Sequence, residues 1–281
     1  MGAARFAPSP TGYLHKGHAF SALTAFETAR RLGGRFVLRI EDIDFTRCRP
    51  EFEVAISEDL AWLGLDWEIP VLRQSEHTAD YLEALEQLRA AGLAYRCFAT
   101  RKAVAEAMLS APHGAPAGYR GVRLPEAEEA ARLAAGEPFA WRLDLAVAQA
   151  AAGALSFFEA GEGPAGEHGA IDVAPGWAGD VVLARKDVGV AYHLAVVIDD
   201  ARQGVTDVVR GQDLFEATHV QRLLQALLGL PAPRYHHHRL IAGADGRRLA
   251  KRDRAQTLRA LRESGVSSND LRRELGFPSY R

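Results

Sequence analysis

Cysteine, lysine and long apolar runs are all scarce in this chain of 281 residues. Cys48 and Cys97 are its only cysteines, which excludes a disulfide framework and a cysteine-rich metal centre. No apolar run approaches the roughly 18 residues of a membrane span, and the N-terminus is charged too early for a signal peptide. We therefore expect a cytoplasmic monomer with no membrane partner.

The charge balance argues against a general nucleic-acid coat protein, since the net charge is −2. Lysine accounts for 4 of the 34 basic residues, so a lysine in a motif carries more weight than an arginine. The C-terminal segment nevertheless has a basic bias, which favours either a local nucleic-acid face or a solvated tail. Its basic residues are Arg247, Arg248, Lys251, Arg252, Arg254, Arg259, Arg262, Arg272, Arg273 and Arg281.

The N-terminal spacing of apolar residues predicts alternating strands and helices. A strand over 4–8 leads to a helix over 19–31, and a second strand follows over 35–40. This strand–helix–strand order is a βαβ unit and implies a parallel sheet. Ligands of such sheets bind beyond the carboxyl ends of the strands, where both His15 and Glu41 are expected.

The rest of the chain divides into three parts. Residues 98–182 are rich in Ala, Glu, Gly and Pro, and predict an inserted α+β subdomain. The α/β pattern returns over 183–240, so we expect this part and residues 1–97 to form one Rossmann-type α/β domain. The segment 241–281 predicts a basic loop and two short helices. The three histidines 236–238 follow a Pro-rich turn and predict a strand or loop rather than a metal site.

The run His15-Lys16-Gly17-His18 points to a nucleotide site. Its two histidines, three residues apart, share one face of a helix turn. A helix N-terminus attracts anions, and glycine allows a ligand to approach the backbone closely. We expect His15, Gly17 and His18 to bind ATP; the alternative for the two histidines is capping or core packing.

Five ordered motifs together resemble the glutamyl-tRNA synthetases of class I. The run 5–18 resembles their first signature, and Arg248-Leu249-Ala250-Lys251-Arg252 resembles the second. The motifs between them lie at 39–44, at 192–195 with 199–200, and at 204–211. Since the chain ends 30 residues after Lys251, it resembles the truncated paralogue family, the glutamyl-Q tRNA(Asp) synthetases. Val196 favours that family, because the full-length synthetases more typically have Asn there.

The resemblance implies a fold and an activity. The fold is a class I Rossmann-type sheet with an inserted subdomain and a short C-terminal helical region, without an anticodon-binding domain. The activity is tRNA-independent activation of L-glutamate with ATP, followed by transfer to the queuosine base in the anticodon of tRNA(Asp). Mg²⁺ is expected to accompany ATP on its phosphates. Two alternatives are a minimal glutamyl-tRNA synthetase that charges a tRNA 3′ end and a non-catalytic tRNA-binding paralogue.

The resemblance also implies roles for individual residues. Glutamate carries two carboxylates and one ammonium, so its pocket needs cations and hydroxyls together with a carboxylate. Glu41 would bind the ammonium; its alternative is a simple ion pair with Arg39 or Arg47. The residues implied for glutamate are Arg5, Ala7, Ser9, Glu41, Tyr192 and Arg210. Those implied for catalysis are His15 and His18 at the phosphates and Lys251 at the leaving pyrophosphate.

A zinc site of the paralogue family is incomplete in this sequence. Many members have a Cys-x-Cys pair, a Tyr and a further Cys in the inserted subdomain. Cys97 and Tyr119 match two positions, but Ala99 takes the second Cys position and Val122-Arg123 the last. One thiolate and one phenol do not complete a tetrahedral site, so we expect no structural zinc. Apolar packing is then expected around Phe98, Trp141, Leu143, Phe157 and Phe158.

Overall fold

The computed structural model describes residues 2–109, 118–185, 189–241 and 256–279. Its strands are β1 Ala3–Phe6, β2 Arg35–Ile40, β3 Glu68–Arg73, β4 Ala94–Cys97, β5 Ala140–Leu143, β6 Ser156–Glu159, β7 Gly169–Asp172, β8 Val182–Arg185, β9 Gly189–Val190, β10 Asp207–Gly211 and β11 Arg234–His238. Its helices are α1 Lys16–Arg31, α2 Pro50–Trp62, α3 Thr78–Ala90, α4 Arg101–Leu109, α5 Glu126–Ala134, α6 Leu145–Ala152, α7 Tyr192–Arg202, α8 Phe215–Leu227, α9 Leu258–Glu263 and α10 Ser268–Glu274.

A seven-stranded sheet forms the centre of the molecule, in the order β3-β2-β1-β10-β11-β6-β7. Its pairings are parallel from β3 to β6, and only the pairing of β6 with the edge strand β7 is antiparallel. The central strands are buried along most of their length, as expected where helices cover a parallel sheet. The predicted α/β fold with a Rossmann-type parallel sheet is confirmed.

Helix α1 connects the paired strands β1 and β2 and packs its small and apolar face on both. That face holds Ala19, Ala22, Leu23, Phe26 and Ala29, which recur at helical spacing. The helix begins at Lys16, three residues before the predicted start, because His15 caps it. The first turn therefore already contains His18.

A second, four-stranded antiparallel sheet has the order β4-β5-β8-β9. The sheet pairings differ from the expected domain boundaries in three places, one of which is that β8 and β9 belong to this antiparallel sheet although they lie almost entirely within 183–240. β4 belongs to this sheet although it precedes residue 98, whereas β6 and β7 extend the large sheet although they lie within 98–182. The reason is packing: Phe157 of β6 lies against Phe215 and Tyr235 of the large sheet's own core.

The two C-terminal helices complete the main core. Leu258 and Leu261 of α9, Leu271 of α10 and Leu275 just after α10 are buried in the same apolar cluster as residues of α1 and α2. Both helices have side-chain caps, from Thr257 and from a serine before α10. Within the described residues, no helix is both long and apolar enough to cross a membrane.

Candidate active site

The carboxyl ends of the central parallel strands border one cavity of about 640 Å³. Loops after β1, β2, β10 and β11 meet there, as expected for ligand sites of parallel sheets. The structure brings nearly all the sequence-predicted site residues to this cavity. Those lining it are Arg5, Ala7, Ser9, His15, Gly17, His18, Glu41, Tyr192 and Arg210.

His15 and His18 cap α1 and line the cavity at the same time. The Gly17 N–H donates to His15 Nδ1 at 3.1 Å, and the His15 N–H donates to His18 Nδ1 at 3.1 Å. Because Nδ1 is the acceptor in both rings, the proton of each neutral ring lies on Nε2. Capping of α1 and a position at the predicted site are therefore compatible, because the capping hydrogen bonds fix both rings at the cavity.

Gly17 is required by the position of the His15 ring. A Cβ at Gly17 would lie 3.0 Å from His15 Cε1 and 3.1 Å from His15 Nδ1, closer than ordinary van der Waals contact. The backbone amide thus reaches the ring because there is no side chain between them. The positive end of the 16-residue helix faces the same cavity, which favours an anionic ligand.

A buried ion cluster lies beneath the cavity and includes Glu41. Arg39 donates to Glu41 Oε1 at 3.1 Å and to Asp200 Oδ1 at 2.7 Å. Arg5 donates through Nε to Asp200 Oδ1 at 3.3 Å and through Nη1 to the Val209 carbonyl at 2.9 Å. The ion pair of Glu41 with Arg39 that the sequence left open is present, and Glu41 lines the cavity as well.

The cluster contains more carboxylates than guanidinium groups. Burial raises the pKa of Glu41, while Arg39 and Arg5 oppose that rise. Burial would lower the pKa of Arg39, but the surrounding carboxylates of Asp200, Glu41 and Asp199 raise it on balance. A cation bound beside Glu41 would lower its raised pKa and favour its ionised form, as an ammonium group of a ligand would do.

Arg210 approaches the cavity from β10 and has neutral hydrogen-bond partners. It donates to Gln221 Oε1 at 2.7 Å, to Thr218 Oγ1 at 2.7 Å and to His237 Nε2 at 3.1 Å. Its guanidinium is 4% exposed and also stacks over the Tyr235 ring at 5.3 Å. A buried guanidinium held in this way is suited to bind a carboxylate of a ligand.

Tyr192 lines the cavity at the start of α7, and the next residue, His193, is a buried histidine. His193 Nδ1 is buried without a described hydrogen-bond partner. Burial and the nearby Arg210 lower the pKa of His193 to about 4. His193 is therefore neutral at physiological pH and adds no charge to the site.

Several lining residues were missed by the sequence reasoning. They are Phe6, Pro8, Thr11, Ser21, Arg47, Val209, Gly211, Asp213, Leu214, His238, Leu240 and Ile241. Most of them are direct neighbours of the predicted motifs, so position beyond a parallel strand was the available signal. His238 and Leu240 could be placed by this signal only if the end of β11 were known, and the sequence predicted either a strand or a loop there.

Lys251 lies outside the described residues, and its role stays a prediction. The described residues on either side of its segment border the cavity. Leu240 and Ile241 line it directly. Thr257 forms a β-bridge with His15, and the Leu258 N–H donates to the Leu14 carbonyl at 2.8 Å.

Cys97 and Tyr119, the two positions that match the zinc pattern, are neighbours in the structure. The Cys97 thiol lies 3.9 Å from the Tyr119 hydroxyl. Burial raises the pKa of Tyr119, and the Cys97 sulfur raises it further. Among the residues that the structure describes, no three His, Cys, Asp or Glu side chains form a group that could hold a metal ion.

The C-terminal arginines fall into two classes. Arg272 is 1% exposed and donates to the Leu63 and Pro278 carbonyls and to Glu27. Arg273, next in the chain, is exposed and pairs with Asp270 of its own helix. The basic bias of this segment is therefore in part structural rather than a solvated or nucleic-acid-binding face.

Comparisons with known proteins agree with this architecture. The family model described as tRNA synthetases class I (E and Q), catalytic domain, matches residues 3–277. A glutamyl-Q tRNA(Asp) synthetase from Rhodobacter capsulatus is 48% identical over 283 residues, which cover 97% of this chain and 99% of that protein. The chain belongs to the glutamyl-Q tRNA(Asp) synthetase family. As a member of this family it is an enzyme of the ligase class, and class I synthetases use ATP.

Other relatives place the chain in the same family. A glutamyl-Q tRNA(Asp) synthetase from Nocardia farcinica is 43% identical over 284 residues, which cover 99% of this chain and 86% of that protein. A crystal structure of a glutamate tRNA ligase from Elizabethkingia meningosepticum, in complex with its amino acid, matches with a TM-score of 0.73 and 28% identity. The match covers 99% of this chain and 54% of that one, so the chain spans about half the length of the solved relative.

Proposed function

We propose that this enzyme activates L-glutamate with ATP, without needing tRNA, and transfers it to the queuosine base of tRNA(Asp). The observation that carries the proposal is that one cavity contains both a set of charges complementary to glutamate and a helix N-terminus suited to bind phosphate. Glu41 and Arg210 both line this cavity, and His15 and His18 lie at the positive end of α1 beside it. The names of the curated relatives support the choice of acceptor.

In the first step, the α-carboxylate of glutamate attacks the α-phosphorus of ATP. The bond from that phosphorus to the bridging oxygen breaks, and pyrophosphate leaves. Negative charge grows on the phosphate oxygens, so fixed N–H donors and cations lower the barrier. The Nε2–H groups of His15 and His18, oriented by the cap, are the donors, and Lys251 balances the leaving pyrophosphate. Mg²⁺ enters as part of the nucleotide substrate.

In the second step, a hydroxyl of the queuosine cyclopentenediol attacks the carbonyl of the glutamyl adenylate. An ester forms, the mixed anhydride bond breaks, and AMP leaves, while the proton of the attacking hydroxyl passes to a phosphate oxygen of the leaving AMP. The adenylate is an activated acyl donor, so the step needs positioning more than a strong base. Arg210 and Tyr192 bind the free side-chain carboxylate of the glutamyl adenylate while its activated α-carboxyl group faces the acceptor.

A transfer assay with radiolabelled glutamate tests the acceptor. Four tRNAs are compared: tRNA(Asp) with queuosine, the same tRNA with unmodified guanosine, tRNA(Asp) with queuosine but without its 3′-terminal adenosine, and tRNA(Glu). We expect label only on the two queuosine-containing tRNAs, within the anticodon fragment after ribonuclease digestion. Label at the 3′ end of tRNA(Glu) would instead support a minimal glutamyl-tRNA synthetase, and no label with intact binding would support a non-catalytic paralogue.

The role of Lys251 in activation has its own test. Lys251→Ala should lower glutamate-dependent ATP–pyrophosphate exchange by about 10²–10³, comparable to the loss of one oxyanion donor, and leave glutamate binding unchanged. Lys102→Ala is the matched control, because Lys102 is exposed on α4 and pairs only with Glu106 in the described structure. Unchanged exchange in Lys251→Ala would refute the assignment.

A further inference from the structure

The central histidine of the run 236–238 lies in a buried chain of hydrogen bonds that ends at Arg210. His237 is 1% exposed on β11, between Arg210 of β10 and Glu159 of β6, the two neighbouring strands. Its Nε2 accepts from Arg210 Nε at 3.1 Å. Its Nδ1 lies 2.5 Å from Glu159 Oε2. Three adjacent parallel strands thus each contribute one member of the chain.

The direction of every hydrogen bond in this chain is determined. Arg210 Nε always carries a proton, so His237 Nε2 must accept and the ring proton lies on Nδ1, from which it is donated to Glu159. Glu159 Oε1 accepts from the N–H groups of His237 at 2.9 Å and Gly161 at 2.8 Å. Burial raises the pKa of Glu159, but these hydrogen bonds lower it on balance, so the carboxylate is ionised.

This arrangement holds Arg210 without neutralising it directly. Gln221 and Thr218 of α8 fix the other two guanidinium nitrogens and are neutral. Within the described residues no carboxylate forms an ion pair with Arg210, whereas Arg5 pairs directly with Asp200. The charge of Glu159 reaches Arg210 only through the neutral ring of a histidine.

We infer that His237 and Glu159 are positioning residues that orient Arg210 toward a carboxylate of glutamate and so determine the affinity for this substrate. The inference rests on the proposed function, because it takes glutamate as the ligand. Neither residue lines the cavity, so both act through Arg210 rather than on the substrate. An ordinary ion pair in place of this chain would leave less positive charge for the ligand.

Glu159→Gln tests the inference because it changes hydrogen-bond direction and little else. In one orientation of the side-chain amide that Glu159→Gln introduces, its oxygen accepts from the two backbone N–H groups and its NH₂ faces His237 Nδ1. The ring proton of His237 must then move to Nε2, where it opposes the Nε–H of Arg210. In the other orientation the NH₂ faces two backbone donors. Every orientation therefore sets a donor against a donor. We expect the Kd for glutamate, measured by calorimetry, to rise about 10–100-fold, the range found when hydrogen-bond partners of metal-ligating side chains are replaced. The Kd for ATP should be unchanged.

Tyr235→Phe is the matched control for general loss of stability. It lies two residues from His237 on the same strand and removes one buried hydrogen bond, from Gln225 Nε2 to the tyrosine hydroxyl at 3.0 Å. The ring beneath the Arg210 guanidinium remains. We expect a lower melting temperature but an unchanged Kd for glutamate.

A double substitution decides whether the effect passes through Arg210. In an Arg210→Lys background the Nε–H is gone, so Glu159→Gln should add nothing further to the Kd for glutamate. An equal increment in both backgrounds, or no greater effect of Glu159→Gln than of Tyr235→Phe, would overturn the inference. Glutamate binding with this pattern but without pyrophosphate exchange would overturn the proposed function alone. Absence of glutamate binding in the unsubstituted enzyme would overturn both.

Discussion

Individual residues of the site combine a structural task with the chemical task proposed for them. His15 and His18 each accept a backbone N–H at Nδ1, so the same bonds that begin α1 also determine where the ring protons lie. In Arg210 and His237 the buried hydrogen bonds likewise orient a group at the cavity. Capping and catalysis are therefore not competing explanations for these positions.

Gly17→Ala should separate the two tasks. The added methyl would lie 3.0 Å from His15 Cε1 and displace the ring from its cap. Loss of the cap costs about 1 kcal/mol, whereas alanine gains about 1 kcal/mol of helix propensity over glycine. We therefore expect a nearly unchanged melting temperature and a raised KM for ATP in pyrophosphate exchange. Gly176→Ala, where a Cβ meets nothing within 4 Å, is the control; an unchanged KM in Gly17→Ala would argue against the ring position.

At the scale of elements, α2 carries a carboxylate that its packing does not satisfy. Asp59 is fully buried between apolar neighbours, and neither carboxylate oxygen has a hydrogen-bond partner among the described residues. Burial raises the pKa of Asp59 to about 6; Arg262 and Arg259 of the C-terminal region oppose this rise, and Glu58 adds to it. Ionisation of Asp59 therefore destabilises the folded state through the burial of its charge, and the attraction to the two arginines of α9 only partly offsets this cost.

The sign of the resulting pH dependence follows from the raised pKa. The folded state keeps a proton that the unfolded state releases near the ordinary aspartate pKa of 3.8, so stability falls as pH rises from about 4 to about 6. Above pH 6, this difference in pKa between the folded and unfolded states lowers the free energy of unfolding by at most about 3 kcal/mol. Asp59→Asn should raise the melting temperature at pH 8 by several degrees and leave it unchanged at pH 4. Equal shifts at both pH values, measured by calorimetry, would exclude ionisation as the cause.

At the scale of the whole molecule, the C-terminal helices and the residue just before them contact the first signature region. Lys16 of α1 pairs with Glu274 of α10 at 2.5 Å, and Thr257 bridges to His15. Arg272 connects α10 to Glu27 of α1 and to the carbonyl of Leu63 after α2. The segment that contains Lys251 is thus bounded by residues fixed on the N-terminal half.

Arg272→Ala should destabilise the protein by about 3 kcal/mol, because it removes a buried guanidinium that pairs with Glu27 and donates to the buried Leu63 carbonyl and to the Pro278 carbonyl. The adjacent exposed Arg273 provides the control, and Arg273→Ala should leave the urea unfolding midpoint unchanged. Similar midpoints for the two variants would show that Arg272 contributes no more than a surface charge.

The order of motifs determined the family and the parallel sheet, and it predicted nine of the 21 residues that line the cavity. Those inferences depend on local spacing and on one general rule, that parallel strands present their loops at a common edge, so residues such as Glu41 and Arg210 could be assigned from the chain alone. Packing between distant segments could not be predicted in this way. Only the tertiary structure pairs β6 with β11, buries Arg272, and sets His237 between Glu159 and Arg210, since these contacts join positions up to 245 residues apart.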